Sequence, residues 1–386
     1  MTRFLLYSHD TYGLGHFRRS CLIASGLVDA DTDNEVLIVT GSPRAQAFRL
    51  PDRVDTVKLP TATKNQSGSY RPRKLGGSIE GLVGLRSDLI CSATASYEPD
   101  VILVDHAPLG MGGELAATLD LAHRLTNRPR IMLGLRDIID DHQSVEAAWE
   151  RVGIWPALDL FDDILVYGDP RVTTTAMELG LEHRTHAKVT HTGYVAPTMP
   201  EGQTQEPFLL VTPGGGGDGQ VLLRRFLDAV QQGATEGLRS LVVTGPLLSA
   251  GRRAEVMTRA ESLPSVDVIE FSDRMRSFIA SATGVISMAG YNTVVEELGA
   301  ATPSLLVPRR WPRLEQHIRA SRLAQVTNLE HCPLEDLSPQ RIRDFADSCH
   351  QAADPSMAEP LNLSGVAAAV STFHQLPNPG RTPTNA

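Results

Sequence analysis

His16 closes the run Asp10-Thr11-Tyr12-Gly13-Leu14-Gly15-His16, between a short apolar segment of strand composition, Phe4 to Tyr7, and a segment of helix length. Gly13 and Gly15 let the main chain come close to a ligand. An imidazole projecting there could serve as a general base, or hydrogen-bond to a phosphate or hydroxyl, or simply cap the helix. A second such group, Asp105-His106-Ala107-Pro108-Leu109-Gly110, follows another apolar run and offers Asp105 or His106 as an alternative base. Arg136-Asp137 ends the next run in the same way, and either pair reads equally as an internal ion pair or a cap.

The second half carries its own candidates. Thr212-Pro213-Gly214-Gly215-Gly216-Gly217-Asp218-Gly219 presents several unobstructed N–H groups at a helix start, which suits a diphosphate. A flexible turn is the plain alternative, but four consecutive glycines carry an entropic cost that a plain turn need not incur. Asp218 fits either an N-cap or a ligand contact. The run lacks the Lys-Ser/Thr ending of a P-loop, so ATP hydrolysis has no support.

The most informative stretch is Ser287-Met288-Ala289-Gly290-Tyr291-Asn292-Thr293-Val294-Val295-Glu296-Glu297-Leu298. It reads as a buried strand, a turn at Gly290, and a helix that opens over Tyr291, Asn292 and Thr293 with Glu296 one turn inside. Free N–H groups would meet an anion and the Glu296 carboxylate a sugar hydroxyl, which points to a nucleotide-sugar site. Thr293-x-x-Glu296 also fits a capping box, in which the glutamate reaches back to the helix start. The surroundings favour a ligand, because Arg309, Arg313, Glu315 and Gln316 follow the next strand and would reach the same crevice. A carboxylate and an amide can each take two sugar hydroxyls, and Arg309 or Arg313 can pair with phosphate or merely solvate a helix start.

These residues need strands to hold them. Apolar β-prone runs alternate with helix-length segments at Phe4 to Tyr7, Glu35 to Thr40, Val101 to Val104, Ile131 to Leu135, Asp163 to Tyr167 and Val189 to Thr192. After a polar, proline-rich linker at 196–207 the pattern restarts at Phe208 to Thr212, Ser240 to Thr244, Val266 to Phe271, Gly284 to Ser287 and Pro303 to Val307. Such alternation predicts an α/β protein with parallel sheets. Both halves open with a strand running into a glycine-rich turn, so the expectation is two Rossmann-like domains facing across a cleft, 1–195 and 208–360. A helix from Ser364 to His374 and a flexible tail would complete the chain at 361–386. NAD is disfavoured, since Arg18 replaces the third glycine of G-x-G-x-x-G and no acidic residue ends the second strand.

With 386 residues, 41% of them apolar, the chain can bury two ordinary cores. A net charge of −9 disfavours nucleic acid as a partner. Cys21, Cys91, Cys332 and Cys349 stand far apart, indicating neither a zinc knuckle nor a disulfide framework, and reduced thiols in a cytoplasm are expected. The N-terminal apolar run is too short for a signal peptide or a membrane span. The segment from Lys64 to Arg86 is locally basic, with Arg71, Arg73 and Lys74 against Glu80 alone. It could close over a phosphorylated acceptor or touch an anionic membrane, or be a solvated loop.

Taken together, Gly13-Leu14-Gly15-His16, the Gly214 to Gly219 loop, and the block from Ala289 to Glu296 with Glu315-Gln316 resemble the GT-B glycosyltransferases. The similarity is to the family that includes the GlcNAc transferase of peptidoglycan lipid-intermediate synthesis and to related predicted bacterial glycosyltransferases. It spans both halves, and the last block is its most specific part. The resemblance implies that Glu296 binds the donor ribose, that the two glycine loops frame the diphosphate, that Glu315-Gln316 contacts the donor sugar, and that His16 lies at the reaction centre. Members of this fold typically need no metal, and the chain has no clustered Asp-x-Asp where a metal-dependent transferase would want one. No cofactor is expected. The Gly-Leu-Gly-His…Arg19 pattern also resembles the nucleotide-sugar hydrolase of pseudaminic acid synthesis, in which water replaces the acceptor. The expected function is transfer of a hexosyl or N-acetylhexosaminyl group from a nucleotide diphosphate donor, UDP-linked in the simplest case, to an unidentified acceptor. The alternatives are a hydrolase or epimerase on the same fold, or an inactive sugar-nucleotide-binding protein.

Overall fold

A computed structural model of the protein describes residues 1–10, 15–64, 70–173, 175–203, 206–349 and 359–374. Gly13, with Thr11, Tyr12 and Leu14, lies outside the described residues, as does the chain after His374 that the sequence assigns to a flexible tail. Fifteen strands are described. The first half contributes β1 (Arg3–Ser8), β2 (Glu35–Thr40), β3 (Val54–Lys58), β4 (Ala62–Lys64), β5 (Tyr70–Pro72), β6 (Val101–Asp105), β7 (Arg130–Arg136), β8 (Asp163–Tyr167) and β9 (Lys188–His191). The second contributes β10 (Phe208–Thr212), β11 (Arg239–Val243), β12 (Val266–Ile269), β13 (Gly284–Ser287), β14 (Ser304–Leu306) and β15 (Glu330–His331).

Seven of these form one sheet in the order β3-β2-β1-β6-β7-β8-β9 and six form a second in the order β12-β11-β10-β13-β14-β15. All pairings within the two sheets are parallel. Every residue of β6, β8 and β13 is buried, as strands covered by helices on both faces must be. The strands absent from the sequence reading are β3, the small antiparallel hairpin β4–β5, and β15. β3 and β15 are edge strands with largely polar, partly exposed residues, so they lack the apolar run that marks the central ones.

The helix near the C-terminus spans Gly365–His374 and packs on the first helix, Gly15–Ala30. A Cβ on Gly26 would come within 2.4 Å of Val366 Cγ1, so the two helices approach closely only because residue 26 has no side chain. Phe4 and Phe373 stack edge to face at 5.6 Å, and the Tyr194 amide donates to Asn362 O at 2.8 Å. The last described helix therefore returns to the first sheet. One apolar cluster runs through Phe4, Phe17 and Tyr167 of the first half into Tyr291, Val294 and Leu323 of the second, making the contact between the halves part of the core.

Candidate functional site

Each sheet reverses its strand order once, between β1 and β6 and between β10 and β13, and the crevice outside the carboxyl ends of strands at such a switch point is where α/β sheets bind ligands. The two switch points face each other. Asn292, in the first turn of the helix Tyr291–Ala300 that follows β13, donates to Gly15 O, the first residue of the helix that follows β1, at 3.3 Å. A Cβ on Gly15 would stand 3.2 Å from that amide nitrogen, so a side chain at 15 would press on Asn292. Two positive helix termini thus converge on one crevice.

On the first-half side the structure joins two residues that the sequence offered as alternatives. His16 Nδ1 lies 2.6 Å from Asp105 Oδ2, and Arg19 clamps the same carboxylate with Nε at 2.9 Å and Nη2 at 2.7 Å from Oδ1. Burial alone would raise the Asp105 carboxyl, but Arg19 and His16 hold it down to about 2. It is therefore an acceptor only, which at 2.6 Å favours the His16 tautomer with its proton on Nδ1 over the one that would accept there from Arg19 Nη2 at 3.1 Å. Nε2 is left with its lone pair. Burial, only partly offset by Asp105, lowers His16 to about 4, so the imidazole is neutral near pH 7 and competent to take a proton.

Two more histidines surround this pair, with ring centroids of His9 and His106 at 5.8 and 5.2 Å from His16. His9 was missed by motif reasoning, although its place directly after β1 is a signal that strand ends are site positions. It lies 3.4 Å from the Tyr7 hydroxyl, which donates to Glu114 at 2.6 Å. Arg86 holds Glu114 from beneath through Nε at 2.5 Å and Nη2 at 2.6 Å. Arg86 is consequently not part of the exposed basic segment to which its sequence position assigns it. Asp10, also overlooked, is buried with its carboxyl pushed up to about 7 by burial despite the Ser8 hydroxyl at 2.5 Å.

On the second-half side, the glycine loop follows β10 directly. Gly216 has φ +89°, and a Cβ there would sit 2.2 Å from Thr244 O, so only glycine fits. Gly214, also at positive φ, faces Thr293, whose Oγ1 would be 3.3 Å from an added Cβ; Gly215 lies against Leu247. Asp218 is neither a cap nor solitary: it pairs with Arg309 Nε at 2.5 Å. Arg309 Nη2 donates to Glu315 at 2.7 Å, and its amide to Gln316 Oε1 at 3.2 Å. Arg309, Glu315, Gln316 and the glycine loop are thus one assembly. Arg313 stands apart from it, 3.9 Å from Asp140 of the first half.

The capping box read from Thr293 and Glu296 is not formed. Gly290 occupies the N-cap with no side-chain cap bond, and Glu296, 3% exposed, instead pairs with Arg18 across the cleft. Burial raises the Glu296 carboxyl and Arg18 opposes that rise. Tyr291 is drawn into the contact between the halves rather than presented to the crevice. Its hydroxyl donates to Tyr167 O at 3.2 Å and accepts from Val195 N at 3.1 Å, and the guanidiniums of Arg19 and Arg319 lie over its ring, 5.2 and 5.8 Å from the centroid. Arg319, absent from the sequence reading, forms a bidentate pair with Asp137 at 2.7 and 2.8 Å, both side chains being fully buried. Of the doublet Arg136-Asp137, the acid is therefore the internal ion pair and the base is not.

Among the described residues, no group of three or more His, Cys, Asp or Glu side chains is placed to hold a metal ion, and no helix is long and apolar enough to cross a membrane.

Residues 209–361 match the glycosyltransferase family 28 C-terminal domain. No curated protein matches the chain. Among solved structures, MurG of Acinetobacter baumannii superposes with a TM-score of 0.57 at 14% identity, over 97% of this chain and 100% of that one. The glycosyltransferase VinC, solved in complex with dTDP, gives 0.59 at 16% identity over 96% and 94% of the two chains. The UDP-GlcNAc 2-epimerase from Methanocaldococcus jannaschii gives 0.62 at 10% over 97% and 100%. At these identities the likeness is one of fold. The chain has the GT-B architecture of two Rossmann-like domains and resembles the MurG-like glycosyltransferases, and sugar transfer is the general activity that the domain match supports.

Proposed function

We propose that the protein transfers a sugar from a nucleotide diphosphate donor, UDP-linked, to an acceptor hydroxyl, with residues 1–195 carrying the acceptor and 208–360 the donor. The observation that carries this reading is the His16–Asp105 pair at 2.6 Å, set where the two switch points meet. His16 Nε2 takes the proton of the acceptor hydroxyl, the oxygen attacks the anomeric carbon, and the bond to the diphosphate oxygen breaks with its electron pair leaving on the diphosphate. The glycine loop and the N-termini of the helices Gly15–Ala30 and Tyr291–Ala300 stabilise the departing charge. A single displacement of this kind inverts the anomeric centre. Glu296 takes the ribose hydroxyls and Glu315 with Gln316 the donor sugar, which requires Arg18 to yield Glu296 when the donor enters.

Thermal shift with UDP, dTDP and GDP tests the donor. A ligand at 100 times its Kd stabilises by roughly 2.7 kcal/mol, and no shift with any nucleoside diphosphate would remove the reading. Glu296→Ala is expected to weaken UDP binding by about tenfold or more, the worth of a charge-assisted hydrogen bond. An unchanged Kd by calorimetry would confine Glu296 to its pairing with Arg18.

The fold likeness to a UDP-GlcNAc 2-epimerase favours a second reading, in which the donor itself is processed with no acceptor. Incubation with UDP-sugars alone separates the two, since release of UDP or epimerised sugar without an acceptor supports the second. Peripheral membrane contact is supported by exposed Leu75, Leu85 and Leu89 on and before the helix Ile79–Tyr97, following exposed Arg71, Arg73 and Lys74. Co-sedimentation with phosphatidylglycerol vesicles, lost in a Leu85→Glu, Leu89→Glu double variant, is the expected result; equal sedimentation of the variant counts against that face.

A further inference from the structure

The arginines gathered where the two halves meet are matched to carboxylates with one exception. Arg18 meets Glu296, Arg19 meets Asp105, Arg309 meets Asp218 and Glu315, Arg319 meets Asp137, and Arg313 faces Asp140. The side chain of Arg136, the last residue of β7, makes no ion pair or hydrogen bond among the described residues, and its Nε is buried without a partner. Three other guanidiniums, those of Arg319, Arg19 and Arg313, press on it. The one carboxylate that favours its charge is Glu315, which already holds Arg309. Burial, reinforced by those neighbours, lowers Arg136 to about 10. The Arg136 side chain is only partly buried, so its unpaired guanidinium stays open to solvent at the end of β7, where a ligand anion can supply the charge that no carboxylate of the protein brings to it.

A second orphan lies beside it. His106 follows Asp105, the last residue of β6, which is in register with Gly134 of β7, and the His106 amide donates to Gly134 O at 2.7 Å. Its φ of +71° is strained for a residue with a Cβ, and its Nδ1 is buried without a partner. Arg136 is near enough to depress both His106 and His16. Two unpartnered polar groups at adjacent strand ends therefore converge next to the base, on the first-half side of the crevice.

We propose that Arg136 and His106 form a subsite for an anionic group, a phosphate or a carboxylate, carried by the acceptor. The subsite rests on the transferase reading only in assigning its ligand to the acceptor. Its chemistry is a charge-assisted hydrogen bond from the guanidinium, with His106 donating from Nδ1, and it fixes the acceptor hydroxyl near His16 Nε2.

The test is calorimetric titration of the full chain with inorganic phosphate and, separately, acetate, each with and without saturating UDP. One of the two anions is expected to bind in the presence of UDP, at least tenfold more weakly to Arg136→Gln, while the UDP Kd changes less than twofold. Arg136→Lys, which keeps the charge, should recover part of the loss and covers the case in which the glutamine variant does not fold. The anion that binds identifies the group. The proposal is overturned if neither anion binds wild type at tens of millimolar, if Arg136→Gln binds as wild type does, or if UDP displaces the anion, which would make Arg136 part of the donor diphosphate site. Failure of UDP to bind, with anion binding still dependent on Arg136, removes the donor reading and leaves the subsite standing.

Discussion

Replacing His16 by alanine is expected to lower sugar transfer by about 10²–10⁴-fold, the usual worth of a positioned general base, while the UDP Kd stays within twofold of wild type. The split follows from geometry: His16 is tied to Asp105 on the first-half side, and the proposed donor contacts are backbone N–H groups and second-half side chains. Turnover of the alanine variant near the wild-type rate would exclude His16 as the base. The pH profile gives an independent check. His16 must be deprotonated to act, and its value in the folded protein is lowered from 6.5 to about 4, so the acid limb of kcat/KM should fall near pH 4 rather than near 6.5. The same shift has a sign for stability. Because the folded protein binds the His16 proton less readily than the unfolded chain does, acid weakens the fold progressively as pH drops from 6.5 towards 4. Asp105 acts in a lower window: its value falls from 3.8 to about 2 on folding, so its contribution is complete above 3.8 and is lost as pH falls towards 2. Asp105→Asn should lower activity with His16 still present, because an amide no longer compels the proton to reside on Nδ1.

The second large effect is on stability. Asp137→Ala is expected to destabilise the protein by about 3–5 kcal/mol in urea unfolding, since it leaves Arg319 buried with no counter-charge. Arg319 would retain only main-chain acceptors, Ala289 O at 3.0 Å and Ile138 O at 3.5 Å, which do not neutralise it. The double replacement Asp137→Leu, Arg319→Met should be much milder than Asp137→Ala, because it removes both charges together. A loss below about 1 kcal/mol for Asp137→Ala would mean that Arg319 reaches water on opening of the contact. This pair joins the end of β7 to the helix Glu315–Val326, so it couples the two halves directly. Tyr291, with two guanidiniums over its ring and its hydroxyl bonded to Tyr167 and Val195, acts at the same seam.

The alternation of apolar runs with helix-length segments was enough to place most central strands. Glu35–Thr40, Asp163–Tyr167, Phe208–Thr212 and Gly284–Ser287 have the bounds their composition gives, because a strand buried on both faces needs an unbroken apolar run. The edge strands β3 and β15 escaped because one side of each meets solvent, and polar residues there dilute the signal. At the site, the types and strand-end positions of His16, Asp105, Glu296, Arg309, Glu315 and Gln316 were legible in the chain. So was the glycine loop, whose Gly216 conformation no other residue could adopt without colliding with Thr244.

Partnership was not legible, because it depends on residues from 89 to 278 positions apart. His16 and Asp105 looked like rival bases, and only the adjacency of β1 and β6 sets them 2.6 Å apart as one unit. Thr293 and Glu296 fit a local capping rule, which loses to Arg18 because a buried carboxylate is better matched by a cation from the facing half than by an amide it can do without. Arg136 and Asp137 are neighbours in sequence with opposite fates, Asp137 locked to Arg319 and Arg136 left without a partner. Residue type and strand-end position thus fixed which groups reach the crevice, through local backbone and burial preferences. Which charges are neutralised and which remain for a ligand was decided only by the packing of one half against the other.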